Sequence, residues 1–168
     1  TAIYNESIEI LEVTASDTAN DEILYADRIR DGYWTYNRYW ASYSNPVDLR
    51  LKVNPDILDA GVLEKIAITS VTAEDLPNSF DVYQVNSQGQ EVLVKENIQL
   101  ADFKDNGFSF EVGGYLSHTV VYDVNAEISS DEIILRFADT DSGLIKIREL
   151  DLQYPRQALM EDLLDFYR

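Results

Sequence analysis

Apolar residues recur at every second position over several short segments of the chain. In the clearest segment, four apolar residues alternate with three charged ones: Val47, Leu49, Leu51 and Val53 with Asp48, Arg50 and Lys52 between them. Side chains of a β-strand point alternately to its two faces, so this pattern predicts a strand with one buried and one exposed face. Similar patterns occupy residues 8–15, 66–71, 80–85, 119–124, 133–137 and 144–154. The sequence therefore predicts a protein built mainly from short strands.

Turn-forming residues separate these segments. Residues 86–89, Asn-Ser-Gln-Gly, lie between two apolar segments at 83–85 and 92–94, which predicts a β-hairpin. The predicted strands follow one another without intervening amphipathic helices, and this favours an antiparallel sandwich over a parallel α/β sheet. We expect an all-β fold, an antiparallel β-sandwich of jelly-roll topology, over residues 1–154.

The last segment has a different periodicity. Leu159, Leu163, Phe166 and Tyr167 are spaced as on one face of a helix, in a stretch that begins at Pro155. This spacing predicts a short C-terminal helix over residues 155–168. Two roles remain open for that helix: packing on the sandwich, or linking it to a following domain.

Length and charge limit the classes of partner. A chain of 168 residues suits one domain. The net charge of -18 opposes binding to nucleic acid and to anionic membranes, and no apolar run approaches the ~20 residues that a membrane span needs. The absence of Cys excludes disulfides and thiolate chemistry. Because the chain opens at Thr1 without a signal-peptide pattern, we expect it to be a processed or internal part of a larger protein.

The sequence offers few groups for catalysis. His118 is the only histidine, and we expect it in a polar position in a loop or at a strand edge. No nucleophile elbow, zinc-protease motif, P-loop or dinucleotide fingerprint is present. With 31 acidic residues, many carboxylate pairs will lie at glycosidase spacing by chance, so such pairs indicate nothing. We therefore expect no enzymatic activity from this domain.

Residues 27–45 combine aromatic, basic and amide side chains, including both tryptophans, Trp34 and Trp40. Aromatic rings stack on the C–H faces of sugars, while Arg, Asn and Asp hydrogen-bond their hydroxyls, so the mixture favours glycan recognition. The alternative is that these aromatics fill the core. We expect the core for Trp40, which precedes the small residues Ala41 and Ser42, and leave both interpretations open for Trp34.

Several motifs stand in a characteristic order. They are Ala26, Asp31-Gly32, Trp40 followed by Ala41-Ser42, and the segments 47–53, 66–68, 80–83, 86–89 and 147–152. This order resembles that of the galactose-binding-like (discoidin, or F5/8 type C) domains, and of carbohydrate-binding module family 32 in particular, over residues 8–155. The chain differs from the family in its longer gap between Asp31 and Trp40, and in having Arg38 where a Thr is common.

Many relatives hold a structural Ca²⁺ beneath their binding loops, with oxygens from the Asp-Gly loop and from a Glu near the last strand. The resemblance implies Ca²⁺ as a cofactor here, bound by the carboxylates of Asp31 and Glu149. Asn37 would replace the missing Thr, and Arg28 and Tyr33 would supply main-chain oxygens, toward the 6 to 8 oxygen ligands that Ca²⁺ takes. The alternative for Asp31 is a turn-forming role before Gly32.

Ligand sites in relatives lie on loops at one end of the sandwich. The resemblance implies contacts from segments 28–38, 43–45 and 139–142, with eight candidate residues: Arg30, Trp34, Tyr36, Arg38, Tyr43, Asn45, Asp139 and Asp141. Arg30 and Arg38 suit the carboxylate of a uronate sugar. The charge of -18 repels polyanions, so neutral hexoses are an equal alternative.

The residues and the resemblance together predict a non-catalytic carbohydrate-binding module in a secreted or cell-surface protein. Its partners would be an oligo- or polysaccharide and a covalently attached catalytic domain or surface protein, which the module targets to the glycan. The alternative is a protein-interaction or adhesion domain of a cell-surface or appendage protein, because the same sandwich carries such roles.

Overall fold

The computed structural model describes residues 2–17, 22–23, 26–30, 40–42, 46–99, 108–112, 115–138, 140 and 142–158. Its strands are β1 (Ala2–Ser7), β2 (Ile10–Asp17), β3 (Glu22–Ile23), β4 (Trp40–Ser42), β5 (Val47–Val53), β6 (Val62–Ser70), β7 (Ser79–Val85), β8 (Glu91–Gln99), β9 (Phe108–Val112), β10 (Tyr115–Glu127), β11 (Glu132–Phe137), β12 (Ile145–Ile147) and β13 (Glu149–Ala158). The helical elements are α1 (Ile57–Ala60) and two 3-10 helices, Ala26–Arg30 and Ala73–Asp75. No helix within these ranges is long and apolar enough to cross a membrane.

Two antiparallel sheets form the body of the protein. One has the strand order β1-β13-β6-β10-β9 and the other the order β3-β2-β5-β11-β7-β8, while β12 and β4 make a two-stranded ribbon. Buried residues of both sheets belong to one hydrophobic cluster, so the sheets pack face to face. The predicted antiparallel β-sandwich is confirmed.

The core follows the alternation seen in the sequence. In β5 the apolar residues Val47, Leu49, Leu51 and Val53 are buried, and the charged residues between them are half-buried or exposed. Phe80 of β7 meets Tyr122 of β10 edge to face, with ring centroids 5.0 Å apart. Burial raises the pKa of Tyr122 well above its ordinary value, because the phenolate would lose its hydration.

The predicted hairpin joins β7 to β8, with Val85 paired to Glu91 and Tyr83 to Leu93. Its turn is organised by Asn86, whose Oδ1 accepts hydrogen bonds from the main-chain N–H groups of Gln88 at 3.0 Å and Gln90 at 2.9 Å. Gly89 adopts a φ of 78°, a left-handed conformation that glycine takes without steric cost. The sequence pattern of this turn is therefore explained by its geometry.

A network of ion pairs covers the outer face of the second sheet. Arg136 binds both carboxylate oxygens of Asp48, at 2.7 and 2.8 Å, and one oxygen of Glu91 at 3.1 Å. Its guanidinium also lies 4.4 Å from the ring centre of Tyr83. The hydrogen bonds that Arg136 donates to Asp48 raise the pKa of Arg136 further above its ordinary value. The network spans β5, β11, β7 and β8, so it favours one pairing register of these strands.

The prediction of a helix beginning at Pro155 is wrong for residues 155–158, because β13 continues as a strand to Ala158. Pro155 pairs with Asn5 and Ala158 with Ala2 of β1. The pairing of β13 with β6 ends at Gln153, so Pro155 lies beyond the part of the strand that has two described neighbours. Proline is tolerated at such places because its missing N–H breaks no second ladder. Residues 159–168 of the predicted helix lie outside the described residues.

The central position of β11 generates a stability prediction. Leu135 is fully buried, whereas Leu93 of β8 is 44% exposed. We expect Leu135→Ala to lower the free energy of unfolding by about 2 to 5 kcal/mol, because it leaves a cavity between the sheets. The same substitution at Leu93 should change it by no more than about 0.5 kcal/mol. Urea denaturation measures both, and equal losses at the two positions would contradict the packing described here.

Candidate functional site

The strands of the sandwich end at two poles. At pole A, formed by residues 70–79, 137, 138, 140 and 142–148, β6 and β11 end and β7 begins. Pole B, at the opposite end, is formed by residues 54–62, 84–91 and 124–132. The first residue of β5, Val47, pairs with the last residue of β11, Phe137. The strand ends that flank two predicted binding segments, 43–45 and 139–142, are therefore neighbours at pole A.

A buried carboxylate connects two segments of the chain at pole A. Asp75, 6% exposed, accepts hydrogen bonds from the hydroxyls of Thr72 at 3.1 Å and Ser142 at 2.7 Å. The main-chain N–H of Ser142 donates to the carbonyl of Glu74 at 3.1 Å. Lys146 adds a long ion pair, with Nζ 3.9 Å from Asp75 Oδ2. Residues 72–75 and 142–146 thus form one fixed rim.

Sequence reasoning missed Asp75, since the chain has 31 acidic residues and this one lies in no alternating segment. The available signal was the spacing of Thr72 and Asp75, which matches the Ser/Thr-x-x-acid pattern of helix starts. Thr72 does precede the 3-10 helix Ala73–Asp75.

Polar side chains form a row across the first sheet at pole A. Ser70 of β6 pairs with His118 of β10, which pairs in turn with Ser109 of β9, and Arg148 directly precedes β13. Two residues further inward, the same face carries the apolar layer Leu150, Ile68 and Val120. Because strand side chains alternate, Ser70, His118 and Arg148 face inward and close the apolar core at this pole, while Ser109 on β9 is exposed.

The members of this row are held by specific contacts. Arg148 is 2% exposed, and its Nη2 donates to the carbonyl of Leu116 at 3.2 Å. His118 Nδ1 and Ser109 Oγ are hydrogen-bonded at 2.8 Å. The buried atoms Ser70 Oγ, Ser117 Oγ and His118 Nε2 have no hydrogen-bond partner among the described residues. Such atoms cost about 1 to 3 kcal/mol each unless water, a ligand or another residue satisfies them.

The expected loop or strand-edge position of His118 is wrong, because the residue lies inside β10 and pairs with strands on both sides. Its hydrogen bond to Ser109 does not make a catalytic triad, which requires a carboxylate on the second ring nitrogen. Among the described residues, His118 Nε2 has no such partner.

The 3-10 helix Ala26–Arg30 carries two predicted site residues, Arg28 and Arg30. The helix buries Ala26 and Ile29 and contacts β2, β4 and β13. Arg30 donates to Asp27 Oδ1 at 3.1 Å and to the carbonyl of Ile10 at 2.9 Å, so its guanidinium fastens the helix to β2. A sugar contact from Arg30 stays a prediction.

Most of the other predicted site residues lie outside the described part of the chain. They are the carbohydrate candidates Trp34, Tyr36, Arg38, Tyr43, Asn45, Asp139 and Asp141, and the metal candidates Asp31, Tyr33 and Asn37. Trp40 is described and is fully buried in β4, where it pairs with Ile147, so its predicted core position is confirmed.

The described residues supply part of a Ca²⁺ ligand set. Glu149 is half-buried at the start of β13, and the helix that carries Arg28 contacts this strand. A carboxylate and main-chain carbonyls are oxygen donors that Ca²⁺ accepts, but 6 to 8 are needed. No three His, Asp or Glu side chains lie together as metal ligands within the ranges that the structure describes. The Ca²⁺ site therefore stays a prediction.

Solved structures with the same architecture include a family 32 carbohydrate-binding module from C. perfringens NanJ, in complex with galactose. It is 20% identical to this chain, with a TM-score of 0.52 over 89% of this chain and 99% of that one. The fold is that of the family 32 carbohydrate-binding modules. The family 32 module of Streptococcus pneumoniae EndoD is 11% identical, with a TM-score of 0.53 over 86% and 94% of the two chains.

A third family 32 module, from AlyQ, was solved in complex with 4,5-unsaturated mannuronic acid. It is 13% identical, with a TM-score of 0.54 over 88% of this chain and 97% of that one. Comparison with protein-family models and with curated proteins finds no match. At these identities the likeness to family 32 modules shows the shared fold.

The Asp75 contacts generate a prediction for pole A. We expect Asp75→Ala to destabilise the protein by about 1 to 3 kcal/mol, because it removes the two hydrogen bonds that Thr72 and Ser142 donate to this buried carboxylate, each worth about 0.5 to 1.5 kcal/mol. Asp59→Ala, at an exposed position of α1, is the matched control and should change stability by no more than about 0.5 kcal/mol. If urea unfolding gives Asp75→Ala the stability of the wild type, the carboxylate does not fix the rim.

Proposed function

We propose that this domain is a non-catalytic carbohydrate-binding module of a secreted or cell-surface protein. The observation that carries the proposal is the shared fold with family 32 modules, of which one was solved with galactose and another with an unsaturated uronic acid. The domain would target an attached enzyme or surface protein to a glycan by raising its effective concentration there.

The geometry of pole A supports a binding role. Its rim is held by the buried Asp75 carboxylate, and its base is closed by the buried polar row of Arg148, Ser70 and His118. A rigid rim lowers the conformational entropy lost on binding, which is the main benefit of a preformed site.

The proposed sugar contacts remain those of the segments that adjoin pole A and the helix Ala26–Arg30. We propose Trp34 as the stacking platform, with Arg30, Arg38 and Asn45 as polar contacts. The support is chemical: both tryptophans and several tyrosines lie within residues 27–45, and one of the two, Trp40, is already assigned to the core.

A glycan array run with purified domain tests the proposal. We expect binding to a defined set of oligosaccharides, and a loss of about 1 to 3 kcal/mol in affinity for Trp34→Ala, by analogy with aromatic stacking on nucleic-acid bases. Trp34→Phe keeps an aromatic ring and should retain most of the affinity. An array without any specific signal would contradict the proposed function. Unchanged affinity in Trp34→Ala would contradict Trp34 as the stacking platform.

We also propose a structural Ca²⁺ bound by Asp31 and Glu149, with further oxygens from Arg28, Tyr33 and Asn37. An ion that binds only the folded state stabilises it by about 2.7 kcal/mol at a free concentration ~100-fold above its Kd. For a domain of this size, we expect chelation to lower Tm by roughly 5 to 10 °C. Glu149→Gln should reduce this difference. Scanning calorimetry with Ca²⁺ and with chelator measures this difference in Tm. Identical Tm values under the two conditions would contradict the proposed Ca²⁺ site.

A further inference from the structure

Pole B contains two adjoining clefts, at the end of the sandwich opposite to the proposed sugar site. The first, of about 630 Å³, is lined by residues 60–62, 84, 125 and 127–129. The second, of about 510 Å³, is lined by residues 58, 84–87 and 129–132. Both include Gln84 and Ser129, so these two residues form the boundary between the clefts.

The boundary is rigid. Gln84 Nε2 donates to Ser129 Oγ at 3.1 Å, and the main-chain N–H of Ser129 donates back to Gln84 Oε1 at 2.9 Å. The Ser130 hydroxyl donates to the carbonyl of Val85 at 2.6 Å, and the N–H of Ile128 donates to the carbonyl of Gly61 at 2.9 Å. These bonds connect β7 and the chain between α1 and β6 to the chain between β10 and β11, so the clefts are preformed.

Asn125 stands out within the first cleft. Its φ of 50° is left-handed, and it lies where the pairing of β10 with β6 shifts between Asp123 and Ala126. A bulge of this kind changes the direction of the local side chains, and a left-handed non-glycine residue at a cleft suggests a functional constraint on the backbone. The Asn125 amide makes no hydrogen bond to another described residue, so it is available to a ligand.

The lining defines the class of ligand. Amide and hydroxyl groups donate and accept hydrogen bonds, as the vicinal hydroxyls of a sugar do, and Asn125, Gln84, Ser87 and Ser129 supply such groups. Ala60, Val62 and Ile128 add apolar surface for the C–H groups of a ring. The described residues that line the clefts include carboxylates but no Lys or Arg, which disfavours an anionic sugar. Both volumes fall in the range of small-molecule sites, roughly 300 to 1,000 Å³.

We propose that pole B is a second carbohydrate-binding surface, at which a neutral oligosaccharide places consecutive sugar residues in the two clefts on either side of the Gln84–Ser129 pair. The location rests on the residues of pole B alone, whereas the choice of a sugar as ligand rests on the proposed function. A domain with a site at each pole would bind two glycan segments at once and gain avidity on a polysaccharide surface.

The test is an NMR titration of the intact domain with neutral oligosaccharides: cellohexaose, xylohexaose, mannohexaose and β-1,4-galactotetraose. We expect at least one of them to shift the side-chain amide signals of Asn125 and Gln84. Asn125→Gly removes the amide at a position whose positive φ glycine adopts without steric cost, and should weaken this binding about tenfold, the loss expected for one or two hydrogen bonds.

Asn97→Gly is the matched control. Asn97 has the same backbone state, with a φ of 54°, at a shift in the pairing of β7 with β8 that is outside both clefts. This variant should bind at pole B like the wild type, and the Tm values of both variants show whether they fold.

Five outcomes would overturn the second site. If Asn125→Gly binds the sugar with wild-type affinity, Asn125 is not a contact of the second site. If Asn125→Gly and Asn97→Gly lose the same affinity, the loss comes from a general effect on the fold. Binding that collapses between 50 and 500 mM NaCl indicates ion pairing and contradicts a neutral ligand. Shifts confined to signals of pole A, such as those of Ser142, refute pole B while supporting the proposed function. If none of these neutral sugars shifts any signal, the second site is refuted, and the glycan array decides the proposed function.

Discussion

The packing of the two inner sheet faces against each other is the constraint on which the rest of the structure depends. Phe80 of one sheet and Tyr122 of the other meet at 5.0 Å, and Phe80 also lies 5.8 Å from Phe137. Edge-to-face contacts of this kind contribute about 0.5 to 1.5 kcal/mol beyond the burial of area. Since each sheet buries only one face, recognition groups must lie on outer faces, along the sides or at the poles.

The two poles meet this constraint in different ways. At pole A the strands β6 and β10 continue past the last apolar layer, so Ser70 and His118 point inward and are buried although they are polar. Buried polar groups require partners, and the rim fixed by Asp75 belongs to the same region. At pole B the strands end at the apolar layer, and the polar side chains lie in open clefts. Pole A thus has buried polar side chains beneath its rim, whereas pole B presents polar side chains in two open clefts.

The sequence predicted the elements in which local pattern and tertiary packing agree. The alternation of β5, the turn at Asn86 and the burial of Trp40 are examples. The sequence pattern failed to predict the local structure where contacts with neighbouring strands determine it. Pro155 lies in a strand because β13 has β1 beside it there, and the left-handed backbone of Asn125 depends on a pairing shift that no local pattern marks. For the site, the resemblance predicted which segments bind sugar, and that stays a prediction; the sequence could not single out Asp75 among 31 acidic residues.

The charge of the protein affects the binding of acidic sugars differently at long range and at short range. The net charge of -18 slows the approach of polyanions, but salt screens it over about 8 Å at physiological ionic strength. Inside that distance, the groups that line a site control dissociation. Lys146 and Arg148 lie at pole A, whereas no described residue that lines the clefts of pole B is basic. Arg148 is buried and Lys146 is paired with Asp75, so these two cations do not favour acidic sugars at pole A, whereas the lining of pole B, which includes carboxylates, fits neutral sugars.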